Sequence, residues 1–110
     1  MKKIDSVEQF DQAVNEGETI FILKHSLTCP ISHAAYEEYE KFASEHLQNH
    51  TYYLAVQEAR PLSNHIAETF HIKHESPQAI LFMNGDVVWH ASHWKITFES
   101  LEKALQENQQ

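Results

Sequence analysis

The sequence predicts an α/β fold, a central mixed four-stranded sheet flanked by helices in the order α-β-α-β-α-β-β-α. Three observations carry that prediction. Apolar runs of strand length alternate with amphipathic helical patterns through most of the chain. The last two runs are separated by Asn84-Gly85-Asp86, a hairpin signal. Glycine and proline together number only five, and each falls at a plausible break between elements.

Each element follows from its own residues. Asp5 or Ser6 can cap a first helix whose apolar stripe is Val7, Phe10 and Val14, with Gly17 at its end. Thr19 to Lys24 reads as a buried strand. Pro30 suits the first position of the second helix, because it lacks an N–H that would be unpaired there anyway. The stripe of that helix is Ile31, Ala35, Tyr39, Phe42 and Leu47. Tyr52 to Val56 is a second strand, and Leu62, Ile66 and Phe70 mark a third helix. Ala79 to Met83 and Val87 to Trp89 form the hairpin strands, antiparallel to each other. Thr97 can cap a last helix with Phe98, Leu101, Ala104 and Leu105 inward. The early strands, joined through helices, are expected to be parallel with right-handed crossovers.

At 110 residues the chain is expected to be one domain, residues 1–110. There are 8 Lys+Arg against 16 Asp+Glu, a net charge of −8. No basic patch stands out, which argues against nucleic acid and anionic membrane surfaces as partners. No apolar run approaches the roughly 20 residues that span a bilayer, and the start lacks a signal-peptide pattern, so a cytoplasmic location is expected. A single cysteine, Cys29, fits a reducing compartment and excludes an intramolecular disulfide. Any disulfide it forms is with another molecule.

Cys29 stands at a strand-to-helix turn in Thr28-Cys29-Pro30-Ile31-Ser32. A helix N-terminus favours negative charge, because its first N–H groups are unpaired and its dipole is positive there. The thiolate is the nucleophilic form of cysteine. Position therefore favours a reactive thiol over a buried structural one. Pro30 starts the helix. Ser32 either donates a hydrogen bond to the thiolate or fills a first-turn position that needs a small residue. His33, one turn on, either faces the thiol or points outward into solvent, with the outward reading preferred.

Taken together, Thr28-Cys29-Pro30-Ile31-Ser32, Arg60-Pro61-Leu62-Ser63-Asn64, His74-Glu75-Ser76-Pro77-Gln78 and Ser92-His93 ahead of Thr97 resemble the thioredoxin superfamily. Within that superfamily the chain is similar to the monothiol bacilliredoxins of the bacillithiol redox system. The resemblance implies a thioredoxin-like fold and Cys29 as nucleophile, with Thr28, Pro30 and Ser32 in support. It implies a monothiol mechanism, since Ser32 stands where the superfamily has a resolving cysteine. In that mechanism Cys29 takes bacillithiol from an S-bacillithiolated protein and is regenerated by a second thiol. Bacillithiol is then a co-substrate, and no cofactor is bound. The resemblance further implies a cis peptide at Pro77 and substrate contacts at Ser76, Pro77 and Gln78. Bacillithiol is a cysteinyl-glucosaminyl-malate, and Arg60 and Asn64, preceding and opening the third helix, could meet its carboxylates. Read alone, Arg60 is a solvated loop charge.

Nine histidines invite a metal reading, but their spacing does not converge three or four ligands, and no metal is expected. Trp89 and Trp94, with four tyrosines, read as core or half-buried surface. A thiol-peroxide reductase, or a reductase working with another low-molecular-weight thiol, is a minor reading, since no groups that would position a peroxide stand out; two main function classes remain. The chain is a monothiol oxidoreductase, monomeric or joined as an oxidation-dependent Cys29 disulfide dimer, or it is a non-catalytic thioredoxin-like module that binds partner proteins.

Overall fold

The computed structural model describes residues 1–46 and 50–108. In order, the elements are β1 (Lys2–Lys3), α1 (Val7–Glu16), β2 (Thr19–His25), α2 (Pro30–Glu45), β3 (Thr51–Ala55), α3 (Arg60–Phe70), β4 (Gln78–Met83), β5 (Asp86–Ser92) and α4 (Phe98–Asn108), with a 3₁₀ turn at His93–Lys95. The strands form a 5-stranded sheet in the spatial order β1-β3-β2-β4-β5.

The sheet has one strand more than the sequence predicts. β1 is two exposed lysines, so it carries no apolar signal to read. It is recruited by pairing: Lys2 and Lys3 lie parallel to Tyr52 and Tyr53, and the Ile4 N–H donates to the Tyr53 carbonyl at 2.9 Å. β2 and β3 are parallel, as expected. β4 runs antiparallel to β2, and β5 antiparallel to β4. Boundaries shift modestly. β2 extends to His25, β3 starts and stops one residue early, and β5 continues past Trp89 to Ser92. The stripe position Leu47 lies outside the described residues.

Side-chain alternation along β2 divides the core. Ile20 and Ile22 join Phe10, Leu54, Ile66 and Ile80 on the face covered by α1 and α3. Phe21 and Leu23 join Tyr39, Phe42, Leu81 and Leu101 on the face covered by α2 and α4. A strand buried on both faces reads as a continuous apolar run, which is why β2 is so plain in sequence. Each fully buried large apolar side chain contributes roughly 1.5–3 kcal/mol.

Local chemistry sets the ends. Ser6 and Gln9 form a reciprocal capping box on α1. Asn84 and Gly85 have φ of 53° and 86°, the positive values a two-residue hairpin turn requires, and Asp86 already belongs to β5. Thr97 Oγ1 accepts the Ser100 N–H at 3.0 Å at the head of α4.

Candidate functional site

Cys29 is the N-cap of α2, with extended backbone (φ −102°, ψ 122°) and Pro30 next to it in the first turn. The residue is half-buried. Its carbonyl accepts the His33 N–H at 3.1 Å, and no side-chain capping bond is made. The thiol thus sits at the positive end of a 16-residue helix whose first N–H groups have no side-chain acceptor.

The loop that delivers Cys29 is braced from the turn that follows β3. Gln57 Oε1 accepts the Leu27 N–H at 3.1 Å, while Gln57 Nε2 donates to Ser26 Oγ at 2.9 Å and reaches Thr28 Oγ1 at 3.5 Å. Sequence reasoning missed Gln57. Only the parallel pairing of β2 with β3, which sets His25 beside Ala55, brings it to this loop. Thr28 is exposed and its hydroxyl is an outer acceptor of the brace.

Ser32 is fully buried. Its Oγ accepts the Ser26 N–H at 2.7 Å and lies 3.1 Å from His25 Nδ1. No hydrogen bond joins it to Cys29. Of its two sequence readings, the structure therefore favours the small first-turn residue, here one that also ties the turn together. Burial holds the His25 imidazole below its ordinary pKa, with the Ser32 hydrogen bond opposing that effect and His33 adding to it. His33 itself points outward and pairs with exposed Glu37 at 2.7 Å.

The Ser76–Pro77 peptide is cis. Lys24 of β2 is the register partner of Gln78, so Pro77 enters the sheet beside the C-terminal end of β2, at the same end of the sheet as the Cys29 turn. The His93 N–H donates to the Pro77 carbonyl at 3.1 Å, with His93 in the left-handed region (φ 55°). Such a conformation is uncommon for a residue other than glycine and tends to be kept where the surroundings impose it. A hydrogen bond from Ser92 lowers the pKa of the Glu75 carboxyl, aided by nearby His93 and Lys73. Gln78 is fully buried and donates from Nε2 to the Lys73 carbonyl at 3.1 Å. Ser76 Oγ and Gln78 Oε1 are buried without a hydrogen-bond partner among the described residues. Each such orphan costs about 1–3 kcal/mol, and the two flank Pro77.

Arg60 and Asn64 lie inside the first turns of α3 rather than ahead of it; both are exposed, one helical turn apart on one face. Beneath them is a basic cluster that the sequence analysis did not single out. The Lys24 ammonium donates to the Ser63 carbonyl at 3.0 Å and lies 3.3 Å from His74 Nδ1. Burial lowers its pKa to about 8. The pKa of His74 is lowered by burial first, then by Lys24 and Arg60.

Trp94 departs from its expected half-buried setting: it is 70 % exposed, and Leu27 is 53 % exposed. Trp94 borders a groove of about 290 Å³ with Ile31, Ala34, Ala35, His93 and Ile96. Among the described residues, no group of three or more His, Cys, Asp or Glu side chains could hold a metal ion, and no helix is long and apolar enough to cross a membrane.

The family model described as monothiol bacilliredoxin BrxC matches residues 2–101. A solved thioredoxin-fold structure, described as a candidate oxidoreductase, is 46 % identical, covering 94 % of this chain and 91 % of that one with a TM-score of 0.88. Thioredoxins from Malassezia sympodialis (19 % identity, 100 % and 91 % covered, TM-score 0.77) and Fasciola hepatica (15 % identity, 97 % and 98 % covered, TM-score 0.79) share the fold. A thioredoxin fold with a lone thiol at the head of α2, matched by that family model over nearly its whole length, places the chain in the monothiol bacilliredoxin BrxC family of redox proteins.

Proposed function

We propose that this protein is a monothiol thiol-disulfide oxidoreductase that removes bacillithiol from S-bacillithiolated protein cysteines in the cytoplasm. The observation that carries the reading is the lone, half-buried Cys29 at the N-terminus of α2, with a buried serine at the position of a resolving thiol. The Cys29 thiolate attacks the bacillithiol sulfur of the protein mixed disulfide. A new Cys29–bacillithiol S–S bond forms, the old one breaks, and the client cysteine leaves as a thiolate that takes up a proton. A second thiolate of low molecular weight then attacks the bacillithiol sulfur. It forms the small-molecule disulfide and releases Cys29. No bound cofactor is needed, because each step exchanges one disulfide for another.

Other residues support the same reading. Exposed Arg60 and Asn64 offer a cation and an amide to the malate carboxylates. Ser76, Pro77 and Gln78 present a segment beside the Cys29 turn along which an extended client chain can lie, and Leu27 and Trp94 give it exposed apolar surface. Without substrate the protein is a monomer, or a Cys29-linked dimer on oxidation.

The test follows intact mass while wild type and Cys29→Ser are each incubated with a bacillithiolated protein and with its glutathionylated twin. The expected result is the bacillithiol mass on wild type only, transferred faster than glutathione. Transfer that survives in Cys29→Ser, or none in wild type, would overturn the proposal, the latter in favour of a non-catalytic binding module. Equal transfer from both substrates would overturn the assignment of the thiol.

A further inference from the structure

We propose that Lys24 is a positioning residue for thiol exchange: with Ser63 it clamps the His74 imidazole and so holds the segment from His74 to Gln78 in place beside the Cys29 turn. This rests on the exchange site being the one proposed above.

Lysine is almost never fully buried unless paired, yet Lys24 is 0 % exposed and has no carboxylate partner among the described residues. Its contacts explain its place. Nζ donates to the Ser63 carbonyl of α3 at 3.0 Å and lies 3.3 Å from His74 Nδ1. Ser63 Oγ reaches the same imidazole nitrogen at 3.1 Å. An ammonium has donors only, so the His74 Nδ1 it meets carries a lone pair and the ring proton is on Nε2. Three parts of the chain that are remote in sequence meet at this point: the end of β2, the first turns of α3 and the approach to Pro77.

The clamp acts on the segment from one side. Lys24 also stands beside Gln78 in register, and Gln78 closes the segment on itself through the Lys73 carbonyl. On the other side, His93 holds the Pro77 carbonyl. Ser76, whose hydroxyl is buried without a partner among the described residues, lies two residues from His74. An apolar side chain would fill the Lys24 space at lower desolvation cost, so a buried cation kept here serves geometry better than stability. The charged groups facing His74 are Lys24 from β2, Arg60 from α3 and its neighbour Glu75. Protonating Nδ1 would set an N–H against the Lys24 donor and open the clamp.

The experiment compares wild type, Lys24→Met and Ser63→Ala. Three readouts are taken: the His74 imidazole titration by NMR, amide exchange over residues 74–78, and the concentration dependence of transfer from a bacillithiolated protein. In Lys24→Met, His74 is expected to titrate at higher pH than in wild type, and amide exchange over the segment to quicken about tenfold. KM is expected to rise about tenfold while alkylation of Cys29 by iodoacetamide stays within about twofold. Ser63→Ala, which keeps the backbone acceptor, is expected to shift all three readouts in the same direction by less, and it decides the matter if Lys24→Met fails to fold. Unchanged His74 titration and amide exchange would overturn the inference even if the transfer reaction proves absent in wild type. A change in those two readouts with KM unaltered would overturn the positioning role.

Discussion

The hydroxyl of Ser32 accepts the backbone N–H of Ser26 at 2.7 Å, closing the turn that ends β2 onto the first turn of α2. The same oxygen lies 3.1 Å from His25 Nδ1. The residue that replaces a resolving cysteine is therefore a structural pin for the loop that carries the thiol. Its loss should register in folding before it registers in chemistry.

Ser32→Ala is expected to destabilise the protein by about 1 kcal/mol, because the half-buried Ser26 N–H loses its acceptor inside the turn. The alkylation rate of Cys29 is expected to stay within about twofold, since no hydrogen bond from Ser32 reaches the thiol. Urea unfolding and iodoacetamide kinetics check the two halves. A stable variant with a much slower thiol would show that Ser32 acts on Cys29 after all.

Gln57→Leu removes three contacts to residues 26–28 at little cost in overall stability, because the brace is exposed and water takes the place of each lost partner. Amide exchange at Leu27 is expected to rise while global unfolding moves by about 1 kcal/mol or less. Protection at Leu27 equal to wild type would mean the loop is held without Gln57.

Acid is expected to weaken the fold through His25 and His74. Both have folded pKa values below the ordinary 6.5, with burial the leading cause in each. As pH falls through 6.5 the unfolded chain takes up protons that the folded imidazoles still refuse, so stability declines from near pH 7 toward the folded values. His25→Gln and His74→Gln should each flatten that decline. Stability measured by urea unfolding at successive pH values tests this, and identical slopes in wild type and both variants would refute it.

Gly17→Ala is expected to destabilise by roughly 1–3 kcal/mol through overpacking. A Cβ there would meet Ile20 Cγ2 at 2.5 Å and the Ala13 carbonyl oxygen at 3.3 Å, and Ile20 is itself fully buried. The comparison is Gly85→Ala, where the obstacle is conformational: its φ is +86° and the nearest side-chain atom is at 3.9 Å. Thermal unfolding reads both, and an unchanged midpoint for Gly17→Ala would mean the β2 entry is looser than its packing indicates.

Much of the architecture was legible in the sequence for a simple reason. β2, the central strand, is covered on both faces and so is written as an uninterrupted apolar run, while α1 and α4 carry their caps within three residues of one another. The thiol's place at a helix start was legible too, because Cys29-Pro30 is a local signal for where α2 begins. What stayed hidden depended on partners far away in the chain. β1 exists only as a neighbour of β3, Gln57 matters only because β2 and β3 end together, and Lys24 looked like the last residue of a strand until α3 and the Pro77 segment closed over it. The engagement of Ser32 with the Ser26 backbone was likewise undecidable from residue type, since a hydroxyl can donate or accept in either direction. Sequence alone determined the four helices, the four longer strands, their order and the nucleophile candidate, because periodicity and capping are local. Tertiary structure decided which polar groups hold that candidate in place, because hydrogen bonds across 30 to 50 residues leave no local pattern to read.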